Sequence, residues 1–143
     1  MVWNGCDTPT AMPEIIISSH DEAAIVTSRG AVRELARAVG FTVADQTRVA
    51  TAVSEIVRNV VLYAKTGRVE FHLLGDRGSG AGIEVIIEDQ GPGIPDIPLV
   101  LAGGHSTSGG FGRGVAGARA LVDEFRLEST VGSGTRVMMR KWS

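Results

Sequence analysis

The sequence predicts an α/β two-layer sandwich: a mixed, mostly antiparallel sheet with helices packed on one face. Three observations predict it. Strand-like alternation comes in consecutive pairs, at 68–74 with 83–89 and at 125–130 with 135–142, and strands joined without a long crossover pair antiparallel. Two capped segments with apolar residues at helical spacing precede the first strand pair, and a third lies between the pairs. Consecutive strand pairs also exclude a fully parallel, doubly wound sheet.

The elements follow in order. "EIIIS" (14–18) reads as a short strand. "SHDE" (19–22) has the form of a capping box, Ser19 bonding orphan amides and Glu22 reaching back. It opens a helix with Ile25, Val32, Leu35, Ala36 and Val39 as its apolar stripe and Gly40 as its stop. Thr42 with Asp45 starts a second helix, whose stripe is Val49, Val53, Ile56 and Val60 and which ends near Lys65–Gly67. In "RVEFHLL" (68–74) Val69, Phe71 and Leu73 share one face. "GDRGSGAG" (75–82) has the composition of a hairpin loop, and "IEVIIED" (83–89) puts Ile83, Val85 and Ile87 on the core face. Residues 90–111 show little periodicity and hold Pro92, Pro95 and Pro98 among many glycines. Structureless stretches of that length inside compact domains are usually functional or disordered. "GVAGARALVDEF" (114–125) reads as a helix with Val115, Ala118, Leu121 and Val122 inward, and "VGSG" (131–134) turns between the closing strands.

Size and composition bound the function. The chain has 143 residues, 43% apolar and 21% charged, which fits one soluble domain. Residues 1–13 read as a tail and 14–143 as the domain. The net charge of −2 carries no basic stripe, so nucleic acid is not an expected partner. No apolar run approaches 18 residues and the N-terminus lacks a signal pattern, so neither membrane nor export is expected. The single cysteine, Cys6, fits a reducing cytoplasm. That cysteine and three scattered histidines lack zinc-ligand spacing. The 19 glycines are the anomaly, nearly double the usual share of about 7%.

Four short patterns carry chemistry. Glu55 and Asn59 stand four apart on the second helix, one turn above the other, on a face distinct from Val53, Ile56 and Val60. A carboxylate can take a proton from a nucleophile, and an amide oxygen is a hard donor suited to Mg²⁺. Asp89 ends a strand and is followed by Gly91, Pro92 and Gly93, a sequence that exposes its carboxylate beside bare backbone. "STSGGFGRGVAG" (106–117) is a glycine-rich loop opening a helix, a form suited to anions. "GSGT" (132–135) is a turn that ends on the hydroxyl of Thr135. Taken singly, these are also what a solvated helix face, a turn and a hairpin look like. No GxxxxGK[ST] loop is present, and the glycine loop does not follow a strand as a Rossmann fingerprint must.

In this order, E-x-x-x-N on a helix, D-x-G-x-G after a strand, a glycine loop opening a helix and G-x-G-T form a series that resembles the GHKL, or Bergerat-fold, ATP-binding superfamily. The resemblance runs from about residue 14 to 142. "SEIVRNVVLYA", "DQGPGIPDI" and "STSGGFGRGVAGARALVDEF" look like the small bacterial anti-sigma serine kinases, and most like the switch-kinase group of the stressosome, the RsbT type.

The resemblance implies a site residue by residue. Asp89 would accept the adenine amino hydrogen bond, with Gly91 and Gly93 letting backbone approach the base and Thr135 supporting it. Asn59 would ligate Mg²⁺, and Glu55 would orient and deprotonate the acceptor hydroxyl. Gly110, Gly112 and Gly114 would hold the ATP phosphates, with Arg113 a further phosphate contact. Ser106, Thr107 and Ser108 would belong to a lid ordered by nucleotide, with Thr107, Ser108 and Gly109 among the nucleotide-binding residues. The implied activity is ATP-dependent phosphorylation of STAS-domain proteins in a partner-switching cascade, together with binding of a PP2C-type phosphatase. Two other readings stay open: an anti-sigma factor that sequesters a sigma subunit, and a non-catalytic nucleotide-gated binding module.

Overall fold

A computed structural model describes residues 14–77, 80–103 and 114–143. The order is β1 (Ile15–Ile17), α1 (Ala23–Ala38), α2 (Val43–Asn59), a π-helical turn (Val60–Ala64), β2 (Gly67–Arg77), β3 (Gly80–Asp89), α3 (Ile97–Leu101), α4 (Val115–Ala120), β4 (Glu124–Thr130) and β5 (Gly134–Trp142). The strands form one five-stranded sheet in the order β1-β2-β3-β5-β4, and every pair is antiparallel. The predicted two-layer sandwich is therefore present, with no parallel pair among the described residues.

The layers meet where the two periodicities meet. From α2 come Val49, Val53, Ile56 and Val57, all buried; from the sheet come Val69, Phe71, Ile83, Val85, Ile87, Val137 and Met139. Full burial of such a side chain is worth about 1.5–3 kcal/mol, so this seam dominates the packing energy. Helix α1 lies on α2 through Ala24, Ser28, Val32 and Ala36, a stripe of mostly small residues at four-residue spacing. Gly40 closes α1 at φ 94°, donating to Arg37 O while Phe41 N–H donates to Ala36 O, the paired bonds of a Schellman stop. Thr42 caps α2 by accepting from Asp45 N–H. The outer face of the sheet carries ion pairs, Arg68 and Arg136 with Glu88 and Arg140 with Glu84. Each contributes little in water.

Several elements differ from the sequence reading. Ser19 caps nothing: α1 begins at Ala23 after Glu22, which makes no side-chain cap bond, and His20 at φ 61° turns the chain between them. The expected 75–82 loop is mostly strand, because β2 and β3 pair up to Arg77↔Gly80. Two of its glycines serve close packing: a Cβ at Gly80 would stand 2.8 Å from Ser143 O, and one at Gly82 2.7 Å from the Trp142 indole nitrogen. Within the expected 90–111 loop lies α3, started by Asp96, whose carboxylate accepts from Leu99 N–H. The helix expected over 114–125 stops at Ala120, and β4 takes the chain from Glu124. Leu73, expected inward, is 37% exposed. Residues 1–13, expected as a tail, lie outside the described residues.

Candidate functional site

Asp89 is the centre of the site. The alternation that buries Ile83, Val85 and Ile87 continues by one step, so Asp89 also faces the helices, opposite Thr135 on β5. It is 8% exposed, not the open carboxylate its strand-end position suggested. Burial pushes its carboxyl above the ordinary range, while the backbone N–H groups of Gly91 and Thr135 pull the other way. Gly91 N–H donates to Asp89 Oδ1 at 2.8 Å.

Three glycines allow that burial. A Cβ at Gly67 would collide with Glu88 O and stand 3.3 Å from Asp89 Cβ; one at Gly134 would collide with Asp89 O. At Gly91 a Cβ would stand 2.5 Å from Ala64 Cβ and 3.1 Å from Asp89 Oδ1. Sequence reasoning gave Gly91 and Gly93 to the approach of a ligand. In the structure protein atoms occupy those positions, Ala64 at Gly91 and the Thr130–Val131 backbone at Gly93, which sits at φ 79°. Gly134 was read only as part of the GSGT turn, and Gly67 only as the end of the second helix.

The loop after β3 is tied to the β4–β5 turn. Gly132 N–H donates to Pro92 O at 2.9 Å, and Ile94 N–H donates to Ser129 Oγ at 2.7 Å. Ser129 Oγ also lies 2.9 Å from Thr135 Oγ1 and 3.1 Å from Gly134 O. The loop is thus bonded to the turn, next to Asp89.

Helix α2 forms the opposite wall. Asn59, 9% exposed, is its last residue; the chain then widens into the π-helical turn, where Lys65 N–H reaches Val60 O. Such turns recur at functional sites. Glu55 stands one turn earlier. Its Oε1 accepts from Arg58 at 2.5 Å, while Oε2 lies on the side of Gly114, where a Cβ would stand 3.1 Å away.

These walls line a narrow apolar cleft of about 20 Å³. Ile56, Val60, Ile87, Ile94 and Leu127 line it, and Asn59, Asp89 and Thr135 place polar groups in it. Asn59 was expected on a face apart from Ile56 and Val60; it lines the same cleft as both. A second cavity, lined by Glu55, Arg58, Asn59, Leu62 and Tyr63, adjoins it through Asn59. The lining of the first, apolar walls with a buried acceptor, suits by its polarity a flat heterocycle with a hydrogen-bond donor. The second offers a carboxylate, an amide and a guanidinium to the groups that heterocycle would carry.

Of the residues singled out from sequence, Asn59, Asp89 and Thr135 therefore line the first cavity and Glu55 and Asn59 the second, while Gly91 lies against Asp89, Gly114 against Glu55, and Gly93 against the Thr130–Val131 backbone. Ser106, Thr107, Ser108, Gly109, Gly110, Gly112 and Arg113 lie outside the described residues. Missed contributors are Ile94 and Ser129; the Leu127–Ser129 alternation of β4 was the available signal for the second.

Comparison with known proteins bears on the family and the fold. Residues 44–142 match the family described as histidine kinase-, DNA gyrase B-, and HSP90-like ATPase. The serine/threonine-protein kinase RsbT of Bacillus subtilis is 48% identical over 118 residues, covering 82% of this chain and 88% of that protein. An anti-sigma F factor of Clostridium novyi is 32% identical over 113 residues, 70% of this chain and 73% of that protein. Among solved structures, the RsbU and RsbW domains of a Mycobacterium tuberculosis protein superpose with a TM-score of 0.62 at 24% identity. The match covers 94% of this chain and spans 33% of that longer one, and it bears on the fold.

Proposed function

Because the chain belongs to the histidine kinase-, DNA gyrase B- and HSP90-like ATPase family, we propose that it is an ATP-dependent serine/threonine protein kinase of a partner-switching cascade. The observation that carries this reading is the placement of Asn59 between an apolar cleft holding Asp89 and a cavity holding Glu55. The 48% identity to a serine/threonine-protein kinase supports it.

Each residue then has a task. Asp89 accepts from the adenine amino group, a donor that repays its buried charge. Thr135 supports the same end of the cleft. Asn59 supplies a hard amide oxygen at the meeting point of the cavities and would hold Mg²⁺. The metal, when bound, neutralises charge on the phosphates. Glu55 takes the proton of the acceptor hydroxyl, with Arg58 holding one of its oxygens and orienting the other. Phosphoryl transfer asks the protein chiefly for positioning and charge neutralisation, and a rigid helix facing a rigid strand supplies both. Gly110, Gly112, Gly114 and Arg113 complete the phosphate cradle in this reading, Ser106, Thr107 and Ser108 form its lid, and Gly109 is a further nucleotide contact.

The proposed protein substrates are STAS-domain proteins and the proposed effector is a PP2C-type phosphatase, in the cytoplasm. No described helix is long and apolar enough to cross a membrane. Incubation with labelled ATP, Mg²⁺ and STAS-domain proteins, followed by phosphosite sequencing, tests the reading. Label on a serine or threonine is expected; none on any STAS protein would overturn it.

The relation to an anti-sigma F factor favours a second reading, in which a sigma subunit is held directly. Pull-down with a sigma factor against a STAS protein separates the two.

A further inference from the structure

Ser129 is the residue on which the loop after β3 and the β4–β5 turn converge, and its hydroxyl has three neighbours. Ile94 N–H donates to it at 2.7 Å. Gly134 O, an acceptor only, lies 3.1 Å away. Thr135 Oγ1, which can donate or accept, lies 2.9 Å away.

A hydroxyl has one proton and two lone pairs. Suppose Ser129 gave its proton to Thr135. Gly134 O would then face a lone pair, and one bond would be lost. If Ser129 gives its proton to Gly134 O, its lone pairs take Ile94 N–H and Thr135 O–H, and all three contacts are hydrogen bonds. The second arrangement fixes the proton of Thr135 away from the cleft. What Thr135 then offers the cleft, which it lines beside Asp89, is acceptor capacity alone.

We infer that Ser129 is a positioning residue for base selection, holding Thr135 as an acceptor so that the cleft favours a 6-amino over a 6-oxo purine triphosphate. The inference rests on the ATP reading above and adds to it a residue that touches no nucleotide. A 6-amino group donates one proton to Asp89 and the other directly to Thr135. A 6-oxo group meets acceptors from both. Without Ser129, Thr135 is released to turn its proton into the cleft and donate to the oxo group.

The test is equilibrium titration of the full chain with ATP and with inosine triphosphate, in Mg²⁺. Ser129→Ala is expected to lower the preference for ATP by about tenfold, the scale of one hydrogen bond, and Ser129→Thr to restore it. In a Thr135→Val background Ser129→Ala should change the preference no further, as a double-mutant cycle requires of a residue acting through Thr135. An unchanged preference in folded Ser129→Ala overturns the inference, as does an equal loss for both nucleotides. If Ser129→Ala does not fold, Ser129→Cys carries the same test, and an unchanged preference in Thr135→Val overturns it independently. Wild-type chain that binds neither nucleotide overturns the ATP reading and the inference together; wild type that binds ATP confines a failure to Ser129.

Discussion

Gly114 lies against the carboxylate of Glu55: a Cβ added to it would stand 3.1 Å from Oε2 and 3.2 Å from Cδ. The N-cap residue of α4 is thus in contact with the proposed base. Gly114→Ala, at φ 82° and in that contact, is expected to displace the Glu55 carboxylate. The turnover number should fall more than ATP affinity, as measured by single-turnover phosphorylation beside nucleotide titration.

Removing the base separates binding from chemistry more sharply. Glu55→Ala is expected to leave ATP affinity within a few-fold of wild type and to lower phosphoryl transfer by about 10²–10⁴, the usual range for a general base. Retained phosphorylation of a STAS protein by this variant would remove the assignment.

Asp89→Asn should trade function for stability. Because burial raises the folded Asp89 carboxyl above 3.8, the native state loses stability as pH rises from that value through the raised one. The neutral amide does not. At neutral pH the nucleotide-free variant should therefore melt about 2–6 °C above wild type, with the gap closing below pH 3.8. ATP affinity should fall by about a hundredfold or more, since the acceptor for the amino group is half replaced by a donor. Calorimetry across pH and titration with ATP read the two effects separately.

Asp45 shows the opposite sign. Its hydrogen bond from Arg48, and to a lesser degree the charge of Lys141, holds the carboxyl below 3.8 despite some desolvation. That stability is present above 3.8 and is lost as pH falls through the lowered value. Asp45→Asn should cost about 1 kcal/mol at neutral pH, measured by urea denaturation, and nothing once wild type is protonated as well.

Gly134→Ala should be the most damaging of these substitutions. It places a methyl on Asp89 O at φ 126°, where L-residues are strained. A loss of about 2–4 kcal/mol is expected, and urea unfolding checks it.

Much of this architecture was legible because two periodicities run through the sequence without interruption. Val49, Val53 and Ile56 announce the buried side of α2, and Ile83, Val85 and Ile87 the inner face of β3. The same alternation also buries Asp89, and stopping it at the strand end is what misplaced that carboxylate. Asn59 was assigned to the wrong side of α2 because Ile56 and Val60 were taken to turn away from it, whereas all three line one cleft. Glycine was read as loop at 75–82 for want of any sign that Trp142 closes on Gly82. Such an approach depends on a residue sixty positions away, which no local pattern encodes. The Ser19 box had the right letters, but His20 turns the chain before they can act.

The π-helical turn after Asn59 has a consequence for how this wall could change. Ala64 rests on Gly91 only because one surplus residue is held between it and Asn59. Deleting a residue from Val60–Ala64 would let the segment relax to ordinary helical winding and swing Ala64 off the glycine. The amide at the helix end would then lose its alignment with the acid on the strand, though every side chain of the cleft were kept. The distance between the two walls is set by counting residues, and a lineage could alter this pocket by indels as effectively as by exchanging any group inside it.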